Sequence, residues 1–328
     1  MATITATTTT TVATDENTNK TTPPPKQTII GSPQNFWLHS TLTGYDLTHP
    51  PTPTSPPIHP RLTLQATNNS LSTTTTPIAL DPSKTALLVI DMQNFFLSPA
   101  FNRDPHGPGH SAMKNLVETA IPAARKAGIR VIWVNWGLTR QEVEEMPPAM
   151  LRAFGAGSGS GGEGGKDGDV YVGLGGETGL REDVFGGKRE MVEAGRLLMR
   201  DQWNSGLYGP LAQIYEEGKE LGGGKGDVWI HKNRMSALWS GGTELGDFLE
   251  AQGIRSLLFS GVNTDQCVGG TLQDAFSKGF DCVLLKDAAG TSSPGFAQEG
   301  IEYNAGNSWG FVTGCQEFDR AVEGMVKE

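Results

Sequence analysis

Short, continuously apolar runs recur along the chain from residue 85 onward, and segments with helical character separate them. Apolar runs of this length are typical of strands that are buried on both faces of a parallel sheet. The predicted strands lie at 85–91, 129–135, 227–231, 255–261 and 281–286. The predicted helices lie at 111–127, 140–153, 207–219, 243–252, 265–278, 296–307 and 317–327. This alternation predicts an α/β fold of three layers (α/β/α), in which helices cover both faces of a central, mostly parallel sheet.

The segments outside this alternation differ in composition. Residues 1–28 are rich in Thr, Pro and Asn and predict a disordered, low-complexity tail, because they contain too little apolar surface to fold alone. Residues 29–82 predict an extended N-terminal arm, in which the aromatic run at 35–39 packs on the body or on a partner subunit and the prolines that follow favour polyproline-like chain. The main domain is predicted at 83–328, with a flexible Gly-rich insertion near 155–187.

Composition and charge narrow the classes of function. The formal net charge is −10 and no basic block is present, which disfavours nucleic acid and anionic membranes as partners. No apolar run reaches the roughly 18 residues of a membrane span, and the N-terminus lacks the charged and then apolar pattern of a secretion signal. An odd, sparse set of three cysteines is not a disulfide framework and fits a reducing compartment. We therefore expect a cytoplasmic protein.

Three polar residues follow three of the predicted strands. Ligands bind beyond the carboxyl ends of parallel strands, so Asp91, Lys232 and Cys267 are expected at one edge of the sheet although they are far apart in sequence. Cys267 lies at a strand-to-helix turn, where Thr264 or Asp265 can serve as the N-cap. The free N–H groups and the dipole of that helix would lower the pKa of the thiol and make it a nucleophile.

Each of these residues also has a simpler interpretation. Cys267 can be a small core residue, as we expect for Cys282 and Cys315. Asp91 can accept the thiol proton and return it to a leaving group, or it can cap a helix or turn. Lys232 can stabilise a thiolate, or it can be a solvated surface lysine. The residues alone leave these alternatives open, although three suitable side chains at three strand ends support one another.

The remaining candidates are weaker. His106 and His110 have the i, i+4 spacing of a ligand pair, but Pro105 and Pro108 argue against a helix there, and no metal or cofactor is predicted. The Gly-rich segment lacks the Gly-Lys-Ser/Thr ending of a phosphate loop. Aromatic residues near the strand ends can line a substrate pocket, with core or surface packing as the alternative; they are Phe96, Trp136, Trp203, Tyr208 and Trp239.

Three blocks of sequence, in order, resemble the isochorismatase-like cysteine hydrolases. The first is 85–96 with its Asp-Met-Gln, the second is 232–236, and the third is 261–275 with Gly-Val-Asn-Thr-Asp-Gln-Cys-Val. The superfamily includes isochorismatases, nicotinamidases, N-carbamoylsarcosine amidohydrolases and ureidoacrylate amidohydrolases. The similarity extends over roughly 83–325, is weaker across 137–205 and is absent before residue 80.

The resemblance implies a role for each candidate residue. Asp91 would accept and donate the proton, Lys232 would bridge the acid and the thiolate, and Cys267 would attack an electrophilic carbon. A non-proline cis peptide would join Val262 to Asn263 and aim the N–H groups of Asn263 and Cys267 at a developing oxyanion. The resemblance also implies a small-molecule substrate and a homo-oligomer, either a dimer or a tetramer.

Two departures from the family pattern narrow the predicted chemistry. Metal-dependent nicotinamidases carry an Asp-x-His pair after the second strand, whereas residues 135–140 here contain no His. Several true isochorismatases lack the cysteine, so the presence of Cys267 favours acyl chemistry. We predict a cysteine-dependent hydrolase that cleaves a C–N bond (amide, imide or ureido) through a thioester. The alternatives are a vinyl-ether hydrolase that uses Asp91 as the acid, and a non-catalytic interaction protein on the same fold.

Overall fold

The computed structural model describes residues 27–67, 74–155 and 173–325. The predicted tail at 1–28 lies outside these ranges except for its last two residues, as does most of the Gly-rich run that begins at residue 155. In chain order, the strands of the described residues are β1 (Thr28–Ser32), β2 (Asn35–Ser40), β3 (Gly44–Asp46), β4 (Leu62–Ala66), β5 (Thr76–Leu80), β6 (Thr85–Ile90), β7 (Arg130–Trp136), β8 (Leu180–Phe185), β9 (Lys188–Glu193), β10 (Val228–Lys232), β11 (Ser256–Val262), β12 (Asp281–Gly290) and β13 (Phe311–Thr313).

The α-helices are distributed between these strands. They are α1 (Asn94–Leu97), α2 (Pro108–Asn115), α3 (Ile121–Ala127), α4 (Arg140–Glu144), α5 (Pro148–Ala153), α6 (Leu211–Lys219), α7 (Glu244–Ala251), α8 (Gly269–Lys278), α9 (Gly295–Asn304) and α10 (Cys315–Met325). Three π-helical segments lie directly against α-helices, at Leu116–Ala120, Thr264–Val268 and Ala305–Trp309. Most predicted helices match these bounds to within a few residues.

Two predicted helices differ because of proline. The helix predicted at 140–153 is two short helices, α4 and α5. The break lies before Pro147 and Pro148, since the residue before a proline disfavours helical backbone, and Pro148 is the first residue of α5. The helix predicted at 207–219 begins only at Leu211, directly after Pro210.

A sheet of six parallel strands forms the centre of the molecule, in the order β10–β7–β6–β11–β12–β13. Every residue of β6 and β11 is buried, as their continuous apolar sequence predicts. The predicted α/β class with a mostly parallel sheet is confirmed. The sixth strand, β13, is only three residues long, too short to leave a pattern in the sequence.

Two hydrophobic cores cover the two faces of this sheet. One core holds the alternate residues Leu88, Ile90 and Val134 together with apolar residues of α7 and α8. The other holds Leu87 and Val89 together with residues of α3 and α10. Alternate residues of each strand therefore face opposite layers, which gives the predicted order of helix, sheet and helix.

The N-terminal region is not an extended arm, and this part of the prediction is wrong. Its strands form a separate sheet in the order β1–β2–β3–β5–β4, which packs on the core that includes α10. The sequence of β4 alternates buried and exposed residues, with Leu62, Leu64 and Ala66 inside, which is the period of a strand with one buried face. Between β3 and β4, Pro53 lies in a turn and Pro51 and Pro60 lie in bends.

Asp281, the first residue of β12, joins the two sheets. Its carboxylate accepts hydrogen bonds from the indole Nε1 of Trp37 at 2.7 Å and from Oγ of Ser256 at 2.7 Å. The ring Nε2 of His49 lies 2.7 Å from the same carboxylate. Since Asp281 is 2% exposed, Trp37 of β2 and His49 of the loop after β3 supply two of the polar partners that this buried acid requires.

The segment after the Gly-rich run is also ordered differently from the prediction. Residues that we assigned to a flexible insertion up to 187 form the first strand and turn of the hairpin β8–β9. The hairpin packs on the loop after α1, where Ser98 Oγ donates to Asp183 Oδ1 at 2.5 Å and the guanidinium of Arg181 lies 4.8 Å from the centre of the Phe101 ring. These contacts are made between segments that are distant in sequence, so composition alone could not reveal them.

We predict that Asp281→Ala lowers the free energy of unfolding by about 3 kcal/mol, because it leaves buried donors on both sheets without an acceptor. Urea denaturation followed by tryptophan fluorescence measures this change. Glu250→Ala, an exposed position on α7, serves as the control and should change stability very little. Equal stabilities for the two variants would contradict the role assigned to Asp281.

Candidate active site

The strand order brings four strand ends side by side at the carboxyl edge of the sheet. Lys232 is the last residue of β10, Trp136 is the last residue of β7, Asp91 follows β6, and Cys267 follows β11. The chain builds the sheet outward from β6 in one direction to β10 and then returns to add β11 on the other side. Asp91 and Cys267 therefore flank the topological switch point, where α/β sheets form their ligand crevices.

The three predicted catalytic side chains meet in one buried cluster. Nζ of Lys232 lies 3.0 Å from Oδ2 of Asp91 and donates to Sγ of Cys267 at 3.4 Å. Relative exposure is 0% for Asp91, 4% for Lys232 and 5% for Cys267. The interpretation of Lys232 as a solvated surface lysine is wrong, since its ammonium is held between an acid and a thiol.

The Lys232 ammonium has further partners that compensate for its burial. It donates to the backbone carbonyls of Arg234 at 3.0 Å and Met235 at 3.2 Å. Its Nζ lies 3.9 Å from the centre of the Trp136 ring, a cation–π contact. The charge is thus surrounded by a carboxylate, two carbonyl oxygens and the face of an indole.

The backbone holds Asp91 in an uncommon conformation. Its φ is 53°, and its N–H donates to the carbonyl of Val134 on the neighbouring strand at 2.9 Å. Burial raises the pKa of the Asp91 carboxyl, while the nearby Lys232 ammonium acts in the opposite direction. The result is a carboxyl that holds a proton more readily than an exposed aspartate does.

The thiol of Cys267 does not behave as its place at a helix start predicts. Burial raises its pKa to about 12; Lys232 lowers the pKa, and the neighbouring Asp91 carboxylate raises it. The prediction of a depressed pKa is wrong, because the loss of solvation outweighs the favourable charges around the sulfur. The raised pKa favours the protonated thiol over the thiolate in this buried cluster.

The turn before Cys267 has two special backbone features. The peptide bond between Val262 and Asn263 is cis. Gly261 has a φ of 111°, and a Cβ there would lie 2.0 Å from the carbonyl oxygen of Ile90, so only glycine fits between β11 and β6. The π-helical segment Thr264–Val268, which carries the cysteine, follows this turn.

A small cavity of ≈ 160 Å³ opens onto Cys267. Much of its wall is aromatic, formed by Phe95, Phe96, Trp136 and Phe154, and Arg103 and Asn263 add polar groups. A second cavity of ≈ 600 Å³ shares Phe96, Arg103 and Asn263 with the first, together with Ser292 and Ser293. The cluster of Asp91, Lys232 and Cys267 thus adjoins a small cavity with a largely aromatic wall, and a wider cavity lies beside it.

Only two of the five predicted pocket residues, Phe96 and Trp136, line the catalytic cavity. Trp203 stacks on Phe101 at 6.3 Å, and Tyr208 is buried against the Phe185 ring of the hairpin at 5.7 Å. Trp239 is 48% exposed and packs under the guanidinium of Arg234. None of these three side chains lines the cavity beside Cys267.

Gln93 is a site residue whose importance the sequence did not reveal. Its amide Nε2 donates to the carbonyls of Trp136 and Ser205, both at 2.7 Å, and its Oε1 accepts from the N–H of Trp136 at 3.0 Å. It belongs to the Asp-Met-Gln block that carries part of the family resemblance, which is the signal that could have found it. Arg103, Phe154 and the two serines of the cavities carried no sequence signal.

The region that corresponds to the Asp-x-His pair of metal-dependent nicotinamidases has different side chains here. Asn135 is fully buried, and its amide has no hydrogen-bond partner within the described ranges. A Cβ at Gly137 would lie 2.1 Å from Nδ1 of His231, so the ring of His231 fills the space that a side chain at 137 would need. Across the part of the chain that the structure describes, no group of three or more His, Cys, Asp or Glu side chains could hold a metal ion.

Asp91, Lys232 and Cys267 are buried together at the switch point of a parallel α/β sheet. This arrangement is typical of an α/β enzyme domain, and Cys267 is its candidate nucleophile. The Isochorismatase domain model matches residues 85–177 and 200–314, and the chain belongs to this family of hydrolases. No helix of the described residues has the length and apolar character needed to cross a membrane.

Individual relatives extend this comparison. The ureidoacrylate amidohydrolase RutB of Caulobacter segnis is 30% identical over 246 residues, which cover 74% of this chain and 87% of the relative. An isochorismatase family protein of Desulfovibrio vulgaris, whose structure is solved, is 22% identical with a TM-score of 0.48, over 73% of this chain and 98% of its own. The nicotinamidase PncA of Bacillus subtilis is 21% identical with a TM-score of 0.47, over 70% of this chain and 99% of its own.

We predict that Gln93→Met destabilises the protein by about 3 kcal/mol or more, because three buried backbone groups lose their hydrogen-bond partner. Urea denaturation gives the change in stability. Gln213→Met, on the exposed face of α6, is the matched control and should be close to neutral. A Gln93→Met protein as stable as this control would show that the hydrogen bonds from Gln93 to the backbone of Trp136 do not stabilise the fold.

Proposed function

We propose that the protein is a cysteine-dependent amidohydrolase that cleaves a C–N bond of a small molecule through a thioester on Cys267. The observation that carries the proposal is the single ammonium of Lys232 in contact with both the Asp91 carboxylate and the Cys267 sulfur. This arrangement couples an acid–base group to a nucleophile in a buried space, as covalent acyl transfer requires. The amidohydrolase named among the relatives supports the same class of bond.

In the first half of the reaction, Asp91 accepts the thiol proton as the sulfur attacks the carbonyl carbon. A C–S bond forms, and the carbonyl electrons move onto oxygen. The N–H groups of Asn263 and Cys267 would stabilise this oxyanion, while Lys232 balances the charge within the cluster. Collapse of the intermediate breaks the C–N bond, and Asp91 gives its proton to the leaving nitrogen, which leaves a thioester on Cys267.

In the second half, Asp91 takes a proton from water, and the resulting hydroxide attacks the thioester carbon. The C–S bond breaks, the acid product leaves, and the proton on Asp91 returns to the sulfur. The raised pKa of Asp91 suits this cycle, because a group that must take and return a proton works best when its pKa approaches the working pH. The raised pKa of the thiol ensures that the negative charge forms on sulfur only during the attack.

The walls of the catalytic cavity favour a small, flat acyl group. Phe95, Phe96, Trp136 and Phe154 present ring surfaces, and ring contacts select planar groups. Arg103 is the charged side chain that the catalytic cavity shares with the wider space beside it. A substrate panel for this protein therefore needs both neutral and anionic compounds. They can be chosen from amides, ureido acids, lactams and isochorismate.

The cellular setting of the enzyme is part of the same proposal. Cys267, Cys282 and Cys315 are free thiols, which fits the reducing cytoplasm. We also propose a homo-oligomer, a dimer or a tetramer, since oligomers are common in the family that the chain belongs to. Light scattering coupled to size-exclusion chromatography measures the mass in solution, and a mass of one chain would refute the oligomer.

We predict that Cys267→Ala abolishes turnover of the amide or ureido substrate that the panel identifies, and that Cys267→Ser leaves little activity, because an alcohol is a far weaker nucleophile than a thiolate. Steady-state kinetics and intact-protein mass spectrometry of the acyl-enzyme provide the readouts. Cys282→Ala, a core cysteine away from the cavity, controls for the loss of a buried thiol.

The same variants separate the alternative functions. Near-full activity of Cys267→Ala on a confirmed substrate, with loss of activity in Asp91→Asn, would replace the thioester mechanism by acid-catalysed cleavage of a vinyl ether. A wild-type protein without activity on any member of the panel would favour the non-catalytic interaction protein.

We predict that kcat/KM falls at acid pH with an apparent pKa above 3.8, the ordinary value for aspartate. Asp91 must be ionised to accept the thiol proton, and burial raises its pKa, so activity is retained above that raised pKa and is lost as the pH falls through it. Below it the rate should decrease about tenfold per pH unit. A pH profile of kcat/KM, corrected for stability, tests this; an unchanged rate down to the ordinary pKa would contradict it.

A further inference from the structure

We propose that Trp136 is a further catalytic residue, whose indole N–H donates a hydrogen bond to the sulfur of Cys267 as the thiolate forms. This inference rests on the proposed nucleophilic role of Cys267. Its starting observation is that Trp136 is 0% exposed and that its Nε1 has no hydrogen-bond partner among the described residues. Buried indole N–H groups usually find a partner, so an unpaired one next to a reactive centre calls for an explanation.

The surroundings hold the indole in one place. Gln93 binds the backbone of Trp136 on both sides, accepting from its N–H and donating to its carbonyl. The ring packs edge-on against Phe154 at 5.1 Å, and the Lys232 ammonium covers its face at 3.9 Å. A donor that is fixed before the reaction needs no reorganisation when negative charge appears beside it.

The cavity and the Lys232 ammonium place the indole beside the sulfur. Trp136 and Cys267 line the same cavity, and the Lys232 Nζ lies 3.9 Å from the centre of the Trp136 ring and 3.4 Å from the Cys267 sulfur. The indole N–H and Lys232 both act to lower the pKa of Cys267. A neutral thiol is a weak hydrogen-bond acceptor, whereas a thiolate is a strong one. The hydrogen bond therefore forms in step with the negative charge, which is the condition under which an interaction accelerates a reaction.

The indole N–H also helps to stabilise negative charge on the sulfur. Burial and the Asp91 carboxylate both oppose a charged sulfur, and Lys232 is shared between the sulfur, the acid and two backbone carbonyls. A second donor that serves only the sulfur stabilises the thiolate without weakening the ion pair with Asp91. Lys232 and Trp136 together then form a two-donor site for the nucleophile.

The rate of alkylation of Cys267 by iodoacetamide at mildly alkaline pH tests the proposal without any substrate. The rate depends on the thiolate fraction, so loss of a charge-assisted hydrogen bond in Trp136→Phe should slow it about tenfold or more. Cys267→Ala provides the background from the other cysteines. Trp229→Phe is the matched control, because the indole N–H of Trp229 donates to His231 at 3.2 Å outside the cavity that Cys267 lines. The rate of alkylation of Cys267 in this variant should be unchanged.

A second variant separates the N–H from the ring. Replacement of Trp136 by 3-benzothienylalanine puts sulfur in place of the N–H group and keeps the aromatic face beneath Lys232, so it is informative even where Trp136→Phe does not fold. Slow alkylation of this isostere supports the proposal. Alkylation as fast as in the wild type overturns it, whatever Trp136→Phe shows.

The readout distinguishes this inference from the proposed function. If Cys267→Ala remained active, the thioester mechanism would fail while the alkylation result still reported on the N–H. If the isostere and the wild type were alkylated equally while Cys267→Ala was inactive, the thioester mechanism would stand and Trp136 would be a structural residue only.

Discussion

The buried ammonium of Lys232 is the interaction on which the rest of the site depends. A charge removed from water is costly unless paired and hydrogen-bonded, and at 4% exposure Lys232 has almost no access to solvent. Asp91, the carbonyls of residues 234 and 235 and the ring of Trp136 together provide the compensation. Asp91 and Trp136 come from the ends of β6 and β7, and the two carbonyls come from the loop after β10. The requirement to satisfy one buried charge therefore involves the ends of three neighbouring strands.

The same cluster determines where the proton resides. Burial raises the pKa of both Asp91 and Cys267, and the ammonium between them offsets only part of this effect. Burial thus favours the neutral thiol beside the Lys232–Asp91 ion pair, and in the proposed mechanism the sulfur becomes charged only as it attacks the substrate carbonyl. The indole N–H of Trp136 fits this view, because it would find its acceptor only at that stage.

The region of weakest family resemblance, 137–205, contributes part of the wall of the cavity beside Cys267. Phe154 closes the aromatic wall, and the hairpin β8–β9 packs on the loop that leads to Arg103. The ring of His231 fills the space that a side chain at Gly137 would need. Substrate selection can therefore vary in these segments while the Asp91–Lys232–Cys267 cluster keeps its geometry.

The sequence by itself determined the parallel sheet and the three residues at its edge, because strands buried on both faces leave continuous apolar runs and their carboxyl ends must meet. Only the tertiary structure decided the rest. The N-terminal sheet, the short strand β13 and the true cavity walls depend on contacts between distant segments, such as Trp37 with Asp281. The raised pKa of Cys267 was also decided by the tertiary structure. The sequence shows a helix start, but the sulfur loses its contact with water only in the folded chain.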